Sequence, residues 1–226
     1  MYKRYVERIQ VITDEYKKIV ISSKDASVNI EPTEEKYTKT IFFEKKRNPY
    51  KFTINQDTLI ITPEKTKVFN LFRIGVDQSK ISLYIPKSTI ENLSITSNVG
   101  KVDINSITSE GNIDIQTNTG KINLKDVTCK KFESKGNTGS IFLKKVTAKE
   151  SIFIKRNTGK VELNNCISPE IFIKNNTGKI CGALPSNTVF VTHTKTGKVE
   201  IPTPHIGELA GGRCEIRTNT GSIKFE

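Results

Sequence analysis

One four-residue turn recurs seven times in this chain, and its spacing limits what the rest can fold into. The turns are Asn98-Val99-Gly100-Lys101, Asn118-Thr119-Gly120-Lys121, Asn137-Thr138-Gly139-Ser140, Asn157-Thr158-Gly159-Lys160, Asn176-Thr177-Gly178-Lys179, Lys195-Thr196-Gly197-Lys198 and Asn219-Thr220-Gly221-Ser222. Successive glycines lie 20, 19, 20, 19, 19 and 24 residues apart. A period of that length marks a repeat architecture, in which each unit buries its apolar face only against the next.

Taking each turn glycine as position zero, apolar residues stand two positions later (Val102, Ile122, Ile141, Val161, Ile180, Val199, Ile223) and seven earlier (Leu93, Ile113, Phe132, Ile152, Ile171, Phe190, Cys214). Four later and five earlier are mostly apolar too, and the residues between are mostly polar. Each unit therefore holds two stretches of period-two alternation, the pattern of half-buried strands. A propeller blade needs about 40 residues and four strands, roughly twice this period. A meander would alternate its turns between opposite ends and would not repeat the same turn in every unit. A coil that advances by one strand per turn stacks like on like. With the crossover rule, this predicts an all-β chain forming a single-stranded right-handed parallel β-helix of about 20-residue coils.

The turn residues Asn118, Gly120, Asn137, Gly139, Asn157, Gly159, Asn176, Gly178, Gly197, Asn219 and Gly221 are read as structural. Glycine fits a positive-φ corner that a Cβ would close. The asparagines would stack about 4.8 Å apart and bond amide to amide as a ladder.

Before Gly100 the period decays. Ile81-Ser82-Leu83 fits a coil whose glycine has become Ser79, and Leu59-Ile60-Ile61 and Val28-Asn29-Ile30 read as earlier, degenerate rungs. The charged stretch Glu34 to Tyr50 reads as a hairpin or irregular cap, and Pro202 to Gly212 as an inserted loop. One elongated domain is expected over residues 1–226, with degenerate coils and a β-rich cap over 1–79 and regular coils over 80–226.

At 35% hydrophobic the chain has material for one continuous core. No apolar run reaches membrane-span length, and Met1 to Arg8 lacks the apolar stretch of a signal peptide. The expectation is a cytoplasmic chain, or an envelope chain whose anchor lies upstream. Of four cysteines, Cys166 and Cys214 fall in inward columns, Cys181 in an outward column and Cys129 at a corner. None has metal-type spacing, so neither metal nor cofactor is expected. The outward column three after the glycine reads Asp103, Asn123, Phe142, Glu162, Cys181, Glu200 and Lys224, with no acids on adjacent rungs. Asp103 and Asp114 lack a partner at the spacing glycosidic cleavage needs. His193 and His205 read as solvated, and no nucleophile or phosphate-loop motif is present. A polysaccharide-active enzyme is therefore the least favoured reading.

The surface columns are more informative. One after the glycine stand Lys101, Lys121, Lys160, Lys179 and Lys198, with Ser140 and Ser222 completing the column. Four before it stand Lys135, Lys155 and Lys174, with Thr96, Gln116, His193 and Arg217. Stacked at rung spacing, these form basic ridges. Phe153, Phe172 and Val191 would occupy consecutive rungs beside the second ridge, making an apolar-basic patch. With net charge +12 and pI near 9.5, the partners to expect are an anionic cell-envelope polymer, a membrane surface or a protein. Nucleic acid is disfavoured, since no reading module or stacking platform accompanies the charge. The plainer alternative is that the lysines only solubilise the sheet and discourage edge pairing. Oligomeric state is not set by the sequence.

The unit N-T-G-K-[IV]-x-[IL], the segment Ile81-Ser82-Leu83-Tyr84-Ile85-Pro86 and the ending Thr218-Asn219-Thr220-Gly221-Ser222-Ile223 resemble the bacterial "putative adhesin" β-helix family, long labelled a domain of unknown function. The resemblance is strong from about Lys80 onward and looser from Ile19 to Pro32. It implies a right-handed β-helix, no known catalytic residues, and attachment to the bacterial envelope behind a membrane segment. The leading expectation is thus a non-catalytic envelope scaffold or adhesin-like surface protein that contacts anionic glycopolymer or lipid through its lysine ridges. The runner-up is a cytoplasmic interaction module of a regulatory or stress-response system.

Overall fold

The computed structural model describes residues 5–64, 79–87, 90–203 and 212–226. The strands are β1 (Tyr5–Ile12), β2 (Lys18–Ser23), β3 (Ala26–Thr33), β4 (Thr38–Lys45), β5 (Tyr50–Asn55), β6 (Thr58–Pro63), β7 (Ser79–Pro86), β8 (Asn92–Val99), β9 (Val102–Asn105) and β10 (Asn112–Thr119). There follow β11 (Ile122–Thr138), β12 (Ile141–Thr158), β13 (Val161–Asn164), β14 (Glu170–Thr177), β15 (Ile180–Ala183), β16 (Val189–Thr196), β17 (Val199–Glu200), β18 (Arg213–Thr220) and β19 (Ile223–Phe225). All of them join one mixed, curled sheet.

Alternation places the strands where the apolar columns require. Ile113, Ile115, Ile122 and Leu124 of one coil, and Ile152, Ile154, Val161 and Leu163 of a later one, are buried in a continuous interior. Like pairs with like across rungs, as in Ile113↔Phe132, Ile122↔Ile141 and Ile152↔Ile171. Parallel pairing holds along both sides of the coils, so the register follows the columns.

The order of rungs departs from the order of the chain at both ends. One ladder runs β6–β2–β8–β10–β11–β12–β14–β18–β16, and the other β7–β3–β9–β11–β12–β13–β15–β19–β17. The N-terminal pair β2–β3 thus lies between β6–β7 and β8–β9, and the C-terminal pair β18–β19 lies between β14–β15 and β16–β17. A sequential stack was expected, and the reason it fails is physical. The columns make every rung a suitable neighbour for every other, so a terminal segment can enter the stack wherever its alternation matches. Ile19 sits between Leu59 and Leu93, and Val28 between Ile81 and Val102.

At the N-terminal end pairing turns antiparallel: β5 runs against β6, and β4 runs against both β1 and β7. The Glu34–Tyr50 stretch thus supplies β4, an antiparallel strand held between β7 and β1, rather than another coil. Glu44 is buried there, accepting from Arg8 Nε at 2.8 Å and from the Tyr50 backbone N–H at 2.6 Å. Of the loop expected at Pro202–Gly212, residues 204–211 and with them His205 lie outside the described residues.

In the turn column, Gly100, Gly139, Gly159, Gly178, Gly197 and Gly221 have φ between +133° and +155°. Gly120 is not among the positive-φ glycines, yet a Cβ on it would lie 2.0 Å from the Gly100 carbonyl oxygen. Close backbone approach between rungs, more than φ alone, excludes side chains here. The asparagines form pairs in place of a continuous ladder. Asn118 donates to Asn98 and Asn157 to Asn137, both at 3.0 Å, and Asn219 donates to Asn176. A second corner, six residues after the glycine, holds Ser106, Asp126, Lys145 and Asn165 at φ +53°.

Candidate functional site: a basic groove along the rungs

Strand alternation turns the residues four and two positions before each glycine outward, and the residue between them inward. Across β11, β12, β14, β18 and β16 the outer column therefore reads Lys135, Lys155, Lys174, Arg217, His193 in space. The threading of β18 places Arg217 between Lys174 and His193 and so makes the basic run continuous. The same threading corrects the apolar patch: Phe172 faces Glu215 across the rung, and Val191 lies one rung beyond it. Phe153 and Phe172 do meet, their rings stacked at 5.2 Å and 11°.

Lys135, Lys155, Lys174, Arg217 and His193 line a groove of about 630 Å³ whose other wall carries Asn157, Asn176 and Asn219, with Phe153 and Phe172 on the far side of the basic column. The strip between is made by Gly136, Arg156, Asn175 and Thr218. Arg156 was not singled out in the sequence, and it is the most unusual residue of the strip. Only 3% exposed, it donates from Nη1 to Thr117 Oγ1 at 2.9 Å and from Nη2 to Ser134 Oγ at 2.8 Å. It has no carboxylate partner among the described residues, and its Nε has no acceptor. Burial pushes the guanidinium down to about 10, so it stays charged at neutral pH. Gly136 makes room for it, since a Cβ there would lie 1.6 Å from Nη1. A glycine inside an otherwise alternating strand was the available signal. Asn175 Oδ1, Thr218 Oγ1 and Ser97 Oγ, from the same inward column, also lack partners.

The acids decide which lysines are available. In the first ridge Lys101 pairs with Asp103 at 2.9 Å, Lys160 with Glu162 at 2.5 Å and Lys198 with Glu200 at 2.5 Å. Lys121 lies over the Phe142 ring at 4.2 Å, and Lys179 stands close enough to Glu162 to help hold its carboxyl down, after Lys160 and Asn164. That ridge is largely neutralised. In the second, Lys135 pairs with Glu133, and Arg217 with Glu215 at 2.6 Å. Lys155 and Lys174, on the two rungs where phenylalanine replaces the acid, form no ion pair among the described residues. Like charges one rung apart repel by roughly 0.9 kcal/mol in water, a tension that a bound anion would relieve.

The structure also brings together Asp114 and Glu133, paired across β10 and β11. Burial, then Glu133, raises the Asp114 carboxyl, and Lys135 partly offsets this. Among the described residues no group of three or more His, Cys, Asp or Glu could hold a metal. All four cysteines are free and buried, Cys181 included despite its outward column.

The fold and the groove define a class: an all-β, coil-stacked repeat protein with a charged face. The family model described as Toastrack DUF4097 matches residues 16–224, and the chain belongs to that family. No curated protein matches it. Among solved structures, a "putative adhesin" from Bacteroides fragilis NCTC 9343 is 17% identical, with a TM-score of 0.52 over 100% of this chain and 98% of that one. A "putative cell adhesion protein" from Clostridium sporogenes ATCC 15579 is 14% identical, with a TM-score of 0.46 over 98% of each chain. At 17% identity the likeness to the Bacteroides fragilis structure bears on the fold alone.

Proposed function

We propose that this protein is a non-catalytic, adhesin-like module of the bacterial cell surface that contacts an anionic partner through the Lys135–His193 face. The observation that carries this reading is the run of Lys155 and Lys174 without acid partners on adjacent rungs, beside rungs whose basic residues are paired. The adhesin name of the Bacteroides fragilis structure agrees with it. A single domain spanning residues 1–226, coiled right-handedly, is part of the same reading; one continuous core supports the first and the crossover rule the second. Placement at the extracytoplasmic face is proposed on the same grounds. Among the described residues no helix is long and apolar enough to cross a membrane.

A protein partner is the second reading. It is favoured by exposed Val189, Val191, Val199 and Ile201 on or beside β16 and β17, which end the stack. Cosedimentation with isolated Gram-positive cell walls and with anionic vesicles, each at low and high salt, separates the two. Pelleting that salt weakens supports the anionic partner. Absence of pelleting with both overturns it in favour of the protein partner.

A further inference from the structure

Three features coincide on the rungs of β12 and β14. Lys155 and Lys174 lack acid partners, as described above. Phe153 and Phe172, two residues before them on the same strand face, stack ring on ring and are flanked by Lys135 and Arg217, at 5.7 and 5.8 Å from the rings. On the other wall the asparagine pairing is interrupted. Asn157 bonds down to Asn137 and Asn176 is bonded from Asn219, leaving no amide bond between Asn157 and Asn176 themselves. Beneath the middle of the groove lies Arg156, a buried charge with no carboxylate.

We infer that this groove binds a linear anionic glycan lying along the stack, an inference that rests on the anionic-partner reading above and specifies its ligand. Each wall matches one part of such a polymer. The lysines, Arg217 and His193 meet negative groups repeated along a chain, because they repeat along the same direction at rung spacing, about 4.8 Å. The interrupted asparagine pair offers both an amide donor and an amide acceptor, the combination a sugar hydroxyl satisfies. The Phe153–Phe172 stack, just outside the lysine column, offers its ring edges to the C–H groups of a sugar, whereas two rings covered by each other and by cations offer little for acyl chains to enter. Arg156 adds positive potential from a low-dielectric side, where solvent screens it least.

The test compares dextran sulfate, uncharged dextran, poly-glutamate and phosphatidylglycerol vesicles as probes of the full chain. Two double variants are matched in charge, each lowering the net charge from +12 to +10 by removing two lysines. One is Lys155→Gln with Lys174→Gln; the other is Lys101→Gln with Lys198→Gln. All four lysines are exposed, and thermal melts check that both variants fold. The first is expected to bind dextran sulfate at least about tenfold more weakly and with a shallower salt dependence, and the second within about twofold of the parent. Poly-glutamate, a polyanion without sugars, should bind at least about tenfold more weakly than dextran sulfate. Equal losses in the two variants would overturn the groove while leaving an anionic partner in place. Equal binding of poly-glutamate, or binding to vesicles without dextran sulfate, would remove the glycan. No binding to any charged probe would overturn the underlying reading as well.

Discussion

Lys145 occupies a corner where its neighbours are better suited than it is. Ser106, Asp126 and Asn165 share its φ of +53°, and asparagine and aspartate tolerate that left-handed region far better than lysine. Lys145→Asn is expected to raise stability by about 1 kcal/mol, measured by chemical denaturation; a loss would mean that lysine's contacts outweigh its backbone strain. The buried thiols lower stability at alkaline pH, alongside the buried Tyr50 hydroxyl, which burial also pushes up to about 12. Burial pushes Cys129 and Cys214 up to about 12 and Cys166 to about 11, from an ordinary value of 9.0. Unfolded, these groups would ionise near pH 9; folded, they resist ionisation until well above it. Their contribution is therefore complete below about pH 9 and declines as pH rises toward 11–12. Denaturation midpoints should fall progressively above pH 9, and substituting Cys129, Cys166 and Cys214 together by alanine should flatten that part of the profile. Cys166 and Cys214 were legible from their columns, whereas Cys129, expected at a corner, is buried within β11. Arg156 was not legible, because an arginine in an inward column contradicts the pattern that identifies such columns, and only Gly136 one rung away accommodates it.

At the scale of the element, the strands and the turn column were legible because a repeat states each requirement seven times. Gly139 shows how strict the requirement is: φ is +134° and a Cβ would lie 1.9 Å from the Gly120 carbonyl oxygen. Neither atom can give way without moving a rung. Gly139→Ala should cost about 3 kcal/mol or more, seen as a large drop in Tm; a drop of only a degree or two would show that the rungs can spread. The second corner repeats no single residue type: Ser106, Asp126 and Asn165 are short polar turn residues, and Lys145 breaks that pattern. The distinction between the two ridges lies in the sequence itself. Lys101-Val102-Asp103, Lys160-Val161-Glu162 and Lys198-Val199-Glu200 place an acid two residues on, the same strand face, whereas Phe153-Ile154-Lys155 and Phe172-Ile173-Lys174 place phenylalanine beside the lysine. Alternation alone says that the members of each pair touch.

At the scale of the molecule, stacking order was the part the sequence did not reveal. Periodicity specifies the column a residue occupies and is indifferent to which rung lies above it. The parallel pairing of the repeated strands is therefore recovered, while the antiparallel pairing of β1, β4 and β5 and the entry of β2–β3 and β18–β19 between other rungs are not. The consequence is mechanical. In a repeat array built in chain order, trimming the last unit removes an end; here it removes an internal layer. Residues 213–226 include Cys214, Ile216, Ile223 and Phe225, all buried. At about 1.5–3 kcal/mol for each large side chain, their loss rivals the whole stability of a typical domain, about 5–15 kcal/mol. Deleting residues 213–226 should abolish cooperative thermal unfolding and bring the chain to aggregate through the exposed edges of β14 and β16. A deletion variant that melts cooperatively near the parent's Tm would show that β16–β17 can close onto β14–β15 directly. The same threading inserts Arg217 into the basic run, so the binding face depends on the rung order as much as the core does.

The most direct test of that face is lysine footprinting by acetylation and mass spectrometry, with the protein free and bound to isolated cell-wall polymer. Lys155 and Lys174 should be protected on binding, while Lys101 and Lys198, already held by Asp103 and Glu200, keep the reactivity they show in the free protein. Uniform protection of all four, or protection of Lys101 and Lys198 alone, would contradict a binding site in the Lys135–His193 groove.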